Sequence, residues 1–419
     1  MIEAVKGVRD ILPEEIGRWQ FVEAGARETF ELYGFREIRK PIFESTDLFA
    51  RGIGEATDIV AKEMYTFVDR KGRSLTLRPE NTAPVVRAYI EHGMQRGSEI
   101  ERLYYIGPMF RYERPQKGRM RQFHQIGVEV FGSDNPALDA ETLEMAMAFL
   151  ERLGIREARL AINSVGCLDC RPAYRAALLR YLEPHRSDLC ADCQRRIETN
   201  PLRCFDCKVE ADRALLARAP VILDHLCANC REHFGRVRSH LESFGIAYEI
   251  DPRLVRGLDY YRRTAFEVTL HGLGAQNALL GGGRYDGLVE ALGGPPIPGF
   301  GFAVGEDRLV MSLPSESSIP TGAPDVCVLA LGQAGLQRGL PLALQLRRLG
   351  RRVVLDPTPD RSLKAQMRRA NDLRARFVLI LGAQEIASGL LTLKRMSDGM
   401  QMTIHETDLE PRLKEMARG

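Results

Sequence analysis

No run of about 18 apolar residues occurs in the sequence, and a helix needs roughly that many to cross a bilayer. The opening residues, MIEAVKGVRD, also lack the apolar stretch of a secretory signal, so the expectation is a soluble, cytoplasmic protein with no membrane partner. A Walker phosphate loop and a dinucleotide fingerprint are missing too: GLGAQN (272–277) and GGGRYDG (281–287) are glycine-rich but wrongly spaced. The eight histidines show no metal-ligand spacing, and there is neither an internal repeat nor a low-complexity tract. Net charge is only +3, which excludes no class of partner. What is present is a chain of 419 residues, 44% apolar and 27% charged, enough to bury more than one core, and two or three domains are expected. Residues 323–419 carry 16 Lys and Arg against 10 Asp and Glu, a local +6. That excess fits either a solvated charged surface or a polyanion-binding one.

Three regions follow from pattern. In the first, residues 1–320, helices are expected over 14–32 and 139–153, the second keeping Leu143, Ala146, Met147 and Leu150 on one face. Strands are expected at LYYIGPMFRYE (103–113), QFHQIGVEVFG (122–132) and TAFEVTL (264–270). The first two flank RPQKGRMR, an arginine-rich loop. That reads as an antiparallel hairpin with a solvent-facing connection, which argues against a parallel nucleotide-binding sheet. A second region, 167–235, interrupts the first with short helix-like pieces and eight of the nine cysteines. The third, 323–419, follows the Ser/Pro-rich linker LPSESSIPTGAP and alternates strand and helix through PDVCVLAL, RRVVLD and FVLIL, as a small parallel-type α/β domain does.

Chemistry concentrates in the hairpin. Arg111, Arg114, Lys117, Arg119 and Arg121 load it with guanidinium forks and one amine, shapes that suit phosphate oxygens. Gln125 and Glu129 share one face of the return strand with Phe123, a polar pair in need of a partner. The span resembles motif 2 of the class II aminoacyl-tRNA synthetases. With KGVRDILP, TLRPENTAPVVRAY, RGLDYY, GGGRYDGLVEALGG and GFAVGEDRL in order from end to end, the chain resembles the histidyl-tRNA synthetase family.

That resemblance implies an α+β fold: an antiparallel-sheet catalytic domain interrupted by a mainly helical insertion, and a C-terminal α/β anticodon-binding domain. It implies activation of L-histidine by ATP, accompanied by Mg²⁺, to histidyl-adenylate and pyrophosphate, then transfer to tRNA(His) during protein biosynthesis. Arg256 and Arg111 would be the catalytic pair. Histidine would be held by Glu80, Asn81, Thr82, Arg111, Gln125, Glu129, Arg256, Tyr260 and Tyr261. ATP would be held by Arg111, Glu113, Arg119, Arg121 and Arg308. Arg114 and Gln116 would meet the tRNA acceptor end. Asn81 stands where many relatives have glycine, and Asp307 where they often have glutamate. A homodimer paired through the region of YGFREIRKPIFES (33–45) is also implied. The glycines at 281–283 fit either close approach to a ligand or a tight turn. Two rivals remain: a regulatory paralogue that binds histidine to control ATP phosphoribosyltransferase, and a tRNA-binding module without catalysis.

The cysteines are independent of that resemblance. Cys167 and Cys170, Cys190 and Cys193, Cys204 and Cys207, and Cys227 and Cys230 form four C-x-x-C pairs. Structural disulfides are disfavoured in a cytosolic chain. Eight thiols suit two tetrahedral Cys₄ zinc sites, the other reading being buried inert thiols; spacing does not say which pairs would share an ion. Such zinc would hold the insertion together rather than take part in catalysis. Cys327, in an apolar strand, is expected to be core.

Overall fold

The computed structural model describes residues 2–418, except 55–56, 98–99, 117, 271–276, 315–321 and 359. Lys117, most of GLGAQN and most of the Ser/Pro-rich linker therefore lie outside the described residues. The chain divides into two compact units, Met1–Ser318 and Ile319–Gly419.

The first unit contains, in chain order, β1 (Arg36–Glu37), β2 (Phe43–Ser45), β3 (Tyr65–Val68), β4 (Ser74–Leu77), β5 (Glu101–Phe110), β6 (Gln122–Phe131), β7 (Arg159–Ser164), β8 (Tyr248–Ile250), β9 (Arg262–Thr269), β10 (Ala278–Arg284) and β11 (Gly299–Gly305). Eight of them form one sheet in the order β1-β5-β6-β11-β10-β9-β7-β8; β2, β4 and β3 form a small second sheet. The large sheet is antiparallel throughout its centre, with parallel pairs only at its two edges. β5 and β6 are the expected hairpin, in unbroken register from Glu101 opposite Phe131 to Phe110 opposite Gln122. β5 stops at Phe110, three residues before the expected end. Pro108 is tolerated inside it because its nitrogen, like that of Phe110, points away from β6, on a side where β1 pairs only with Leu103 and Tyr104.

Alternation along β5 assigns the two faces of the sheet. The Tyr104 ring packs at 5.7 Å from Phe30 of helix Pro13–Leu32, and Phe30 meets Phe149 of helix Pro136–Arg152 at 5.3 Å, so these two helices cover one face. Tyr105, one residue on, lines a cavity on the other. The insertion is helical as expected, but its last helix runs to Ser243 rather than ending near 235. That helix packs against Pro136–Arg152, where His233 Nε2 lies 3.7 Å from Asp139. The extension has a physical cause: Val237 and Leu241 continue its buried stripe.

The second unit corrects the parallel-type expectation. β12 (Val326–Ala330), β13 (Val353–Leu355) and β14 (Phe377–Leu381) are parallel, but β15 (Leu390–Arg395) and β16 (Gln401–His405) add antiparallel strands in the order β13-β12-β14-β15-β16. Leu391, Leu393 and Ile404 place the added pair in the same core. Cys327 is buried in that unit, as expected of a core thiol.

Candidate active site

A cavity of about 240 Å³ opens on the face of the large sheet away from the two covering helices. β5, β6, β9, β10 and β11 build its floor, the 111–121 connection one side and the 256–261 segment another. Ten of the sequence-derived residues meet there: Glu80, Thr82, Arg111, Glu113, Arg119, Gln125, Arg256, Tyr260, Tyr261 and Arg308. They come from places far apart in the chain, so the convergence is a product of the fold.

Each guanidinium is held by an oxygen of the protein. Arg111 leaves the end of β5, donates from Nε to Pro79 O at 2.8 Å and lies over the Phe123 ring at 5.3 Å. Glu113, 9% exposed, pairs with Arg119 and stands 4.0 Å from Arg111. Arg256 Nη1 donates to Glu267 Oε2 at 3.0 Å. Arg308 reaches Ala278 O at 2.7 Å and Gly118 O at 3.3 Å. Four arginines and the carboxylates of Glu80, Glu113, Glu267 and Asp307 thus line one hollow. Desolvation lowers the pKa of Arg111, Arg119 and Arg308 from the usual arginine value, yet they remain cations.

The same hollow also holds buried hydrogen-bonding groups. Glu80 is 4% exposed and accepts from the Thr82 and Ala83 amides at 2.8 and 3.0 Å. Its carboxylate therefore satisfies two orphan N–H groups of helix Thr82–Glu91 and lies at the positive end of that helix. Its neighbour Arg78 bonds the carbonyls of Pro108, Lys40 and Pro41. Behind the cavity Glu129 accepts from Thr82 Oγ1 at 2.7 Å and from Tyr285 Oη, and burial lifts its pKa to about 8. Burial also raises Tyr105, Tyr260 and Tyr261, which keeps these phenols protonated as donors. Tyr260 and Tyr261 pack with ring centroids 4.7 Å apart. Gln125 Oε1 and Tyr105 Oη are buried without a hydrogen-bond partner, an arrangement stable proteins rarely keep unless a ligand completes it.

Other expected residues lie elsewhere. Asn81 is the buried N-cap residue of helix Thr82–Glu91 and does not line the cavity; Glu129 sits one layer behind it. Arg121 turns away, stacks on Tyr112 at 4.1 Å and packs on Gly7 of the N-terminal segment. Arg114 and Gln116 are exposed at the loop. The glycines at 281–283 form no turn: they belong to β10. A Cβ on Gly281 would meet Arg256 Nη1 at 2.3 Å, and one on Gly282 would meet Gly301 O at 2.0 Å. The close approach is therefore to Arg256 and to the neighbouring strand. Sequence reasoning missed Tyr105, Tyr285 and Glu267. Glu267 alone left a signal, as the single acid within the apolar strand TAFEVTL.

The cysteines divide into two groups whose candidate ligand atoms lie within 4.8 Å of one another: Cys167, Cys170, Cys227 and Cys230, and Cys190, Cys193, Cys207 and Asp212. The expectation of two all-cysteine sites is corrected at Cys204, whose thiol instead points to Cys193 O at 3.7 Å. Asp212 takes its place.

With this geometry described, similarity to known proteins can be added. Residues 7–309 match the histidyl-tRNA synthetase family and 325–416 an anticodon-binding domain. A histidine–tRNA ligase of Syntrophotalea carbinolica is 52% identical over 418 residues, covering 100% of this chain and 99% of that one. The crystal structure of the apo histidyl-tRNA synthetase of S. aureus has a TM-score of 0.81 at 39% identity, covering 99% of this chain and 100% of that one. A Bacillus halodurans crystal structure, of an ATP phosphoribosyltransferase regulatory subunit/histidyl-tRNA synthetase, has a TM-score of 0.65 at 25% identity, covering 88% of this chain and 96% of that one. The chain belongs to the histidyl-tRNA synthetase family.

Proposed function

We propose, from that membership and from the cavity, that the protein is a histidine–tRNA ligase. It joins L-histidine to ATP, taken up as the Mg²⁺ complex, giving histidyl-adenylate and pyrophosphate, and passes the histidyl group to the 3′ end of tRNA(His). The observation that carries this reading is one hollow that brings guanidinium groups together with buried hydrogen-bonding groups left without a partner.

In this reading the imidazole lies against Tyr260 and Tyr261 and gives Gln125 Oε1 the donor it lacks. An amino acid without ring nitrogens would leave those atoms buried and unpaired, a strong basis for discrimination. Glu80, immobilised by two amides, faces the α-ammonium with Thr82 beside it. The histidine carboxylate attacks the α-phosphorus in line. Arg111 and Arg256 hold the reacting oxygens, and pyrophosphate leaves towards Arg119 and Arg308. No protein nucleophile is needed, since positioning and fixed positive charge supply the acceleration. Arg114 and Gln116, exposed on the connection, meet the acceptor end of tRNA. The second unit takes the anticodon, where phosphate contacts dominate affinity.

Two chains pair in this proposal. The support is apolar surface beside the small sheet: Phe43 is 51% and Val68 68% exposed, and Phe67 and Ile42 are also exposed. The thiol groups would hold structural zinc, with no part in the chemistry.

Pyrophosphate exchange with a panel of amino acids tests the assignment. Exchange driven by histidine alone supports it. Histidine binding without exchange would support a regulatory role instead, the alternative that the Bacillus halodurans relative brings to this fold.

A further inference from the structure

We propose that the insertion binds two zinc ions, one on Cys167, Cys170, Cys227 and Cys230 and one on Cys190, Cys193, Cys207 and Asp212, and that they fix the position of the 253–261 segment. The second half rests on the reading of that segment as the histidine-binding one.

Sulfur spacing supports the sites. A tetrahedron of thiolates about 2.3 Å from zinc has edges of about 3.8 Å. The observed Sγ separations are 3.6 Å for Cys167 and Cys170, 3.9 Å for Cys167 and Cys227, and 3.8 Å for Cys190 and Cys207. All nine cysteines are free, so these are not disulfides. Backbone amides already face the sulfurs as they do around bound thiolates: Cys227 N donates to Cys170 Sγ at 3.2 Å, Cys230 N to Cys227 Sγ at 3.5 Å and Val209 N to Cys207 Sγ at 3.4 Å. Asp212 is an independent sign. It is 1% exposed, accepts from the Cys190 amide and the Cys207 thiol at 3.2 Å each, and makes no salt bridge among the described residues. A carboxylate buried among three thiols calls for a cation.

The coupling is geometric. Between Asp251 and Tyr261 the chain forms neither strand nor helix, so no ladder orders Arg256 and Tyr260. The insertion supplies the missing bonds from residues on the turns between its candidate ligands. Arg171, which follows Cys170, donates to Tyr261 O. Arg203, between the candidate ligands Cys193 and Cys207, donates to Gly257 O at 2.7 Å, and Asn200 Nδ2 on the same stretch donates to Asp259 Oδ1 at 3.0 Å. Removing an ion frees the turn that carries these donors.

The test uses the full-length chain purified from zinc-replete cells. Elemental analysis should find two zinc ions per chain in the wild type and in Cys204→Ala, one in Asp212→Asn and one in Cys170→Ser. Cobalt substitution should show three-thiolate character at one site, converted to four by Asp212→Cys. Equilibrium dialysis should show histidine binding in Asp212→Asn weakened at least about tenfold, the size expected for lost support around a site, with ATP binding changed less than about twofold. If a variant does not fold, stripping the wild type with a chelator and restoring zinc reads the same quantities. Absence of zinc from the wild type, or loss of an ion in Cys204→Ala, overturns the sites. Unchanged histidine affinity on metal loss, or equal loss for ATP, overturns the coupling. Two ions in a wild type that binds no histidine would sink the ligase reading and leave the metal assignment standing.

Discussion

Gly281→Ala isolates the aim of one guanidinium. The added methyl would sit 2.3 Å from Arg256 Nη1 and 2.6 Å from its Cζ, against about 3.5 Å for an ordinary carbon contact, so the guanidinium must retreat by more than about 1 Å. Its hydrogen bond to Glu267 at 3.0 Å cannot survive that shift unaltered. The backbone at 281 is not left-handed, so alanine is tolerated and the yielding atoms belong to the end of a flexible side chain. A misplacement of that size should slow histidine-dependent pyrophosphate exchange about 100-fold, equivalent to about 2.7 kcal/mol of transition-state stabilisation. Thermal midpoint should stay close to wild type. Gly235→Ala is the control: nothing lies within 4 Å of its added methyl, and alanine in that helix should stabilise by about 0.5–1 kcal/mol without slowing exchange. Exchange by Gly281→Ala within about threefold of wild type would refute the role given to Arg256.

Glu129, with a pKa of about 8 in the folded chain, keeps a proton there that the unfolded chain releases near pH 4.3. The stability it contributes is full below about pH 4 and lost as pH rises towards 8, so Glu129→Gln should flatten the fall of thermal midpoint across that window; an unchanged profile contradicts this. Arg284 and Asp139 form a fully buried pair at 2.7 Å, and Arg284→Ala should cost about 3–5 kcal/mol in denaturant unfolding by leaving the carboxylate uncompensated. Arg114→Ala should leave pyrophosphate exchange intact, raise the KM for tRNA several-fold and lower the salt slope of tRNA binding by about 1.

Local pattern was enough for the hairpin, because ten-residue strands with matched alternation leave few other registers. Arg111, Arg119, Arg256 and Arg308 were named through the resemblance instead of local pattern, and the fold brings all four to one cavity. Local pattern was not enough for β15 and β16, whose LLTLKR and QMTIH are short and half polar. Arg121 shows a second limit: its place in a basic loop suggests a phosphate, but it stacks on Tyr112 of the same loop and packs on Gly7, in an N-terminal segment more than 100 residues away. Asp212 shows a third. Nothing in EADRALL marks an acid that will face three thiols brought in by other helices.

Glu80 answers to two masters. Its oxygens are occupied by the opening amides of a helix, so in the proposed reading the anion offered to the incoming amine has its direction set by the main chain and not by a rotamer. Shortened by one methylene, an aspartate here could reach the amides or the amine but not both. Any drift at this position would therefore register at once in foldedness and in substrate choice.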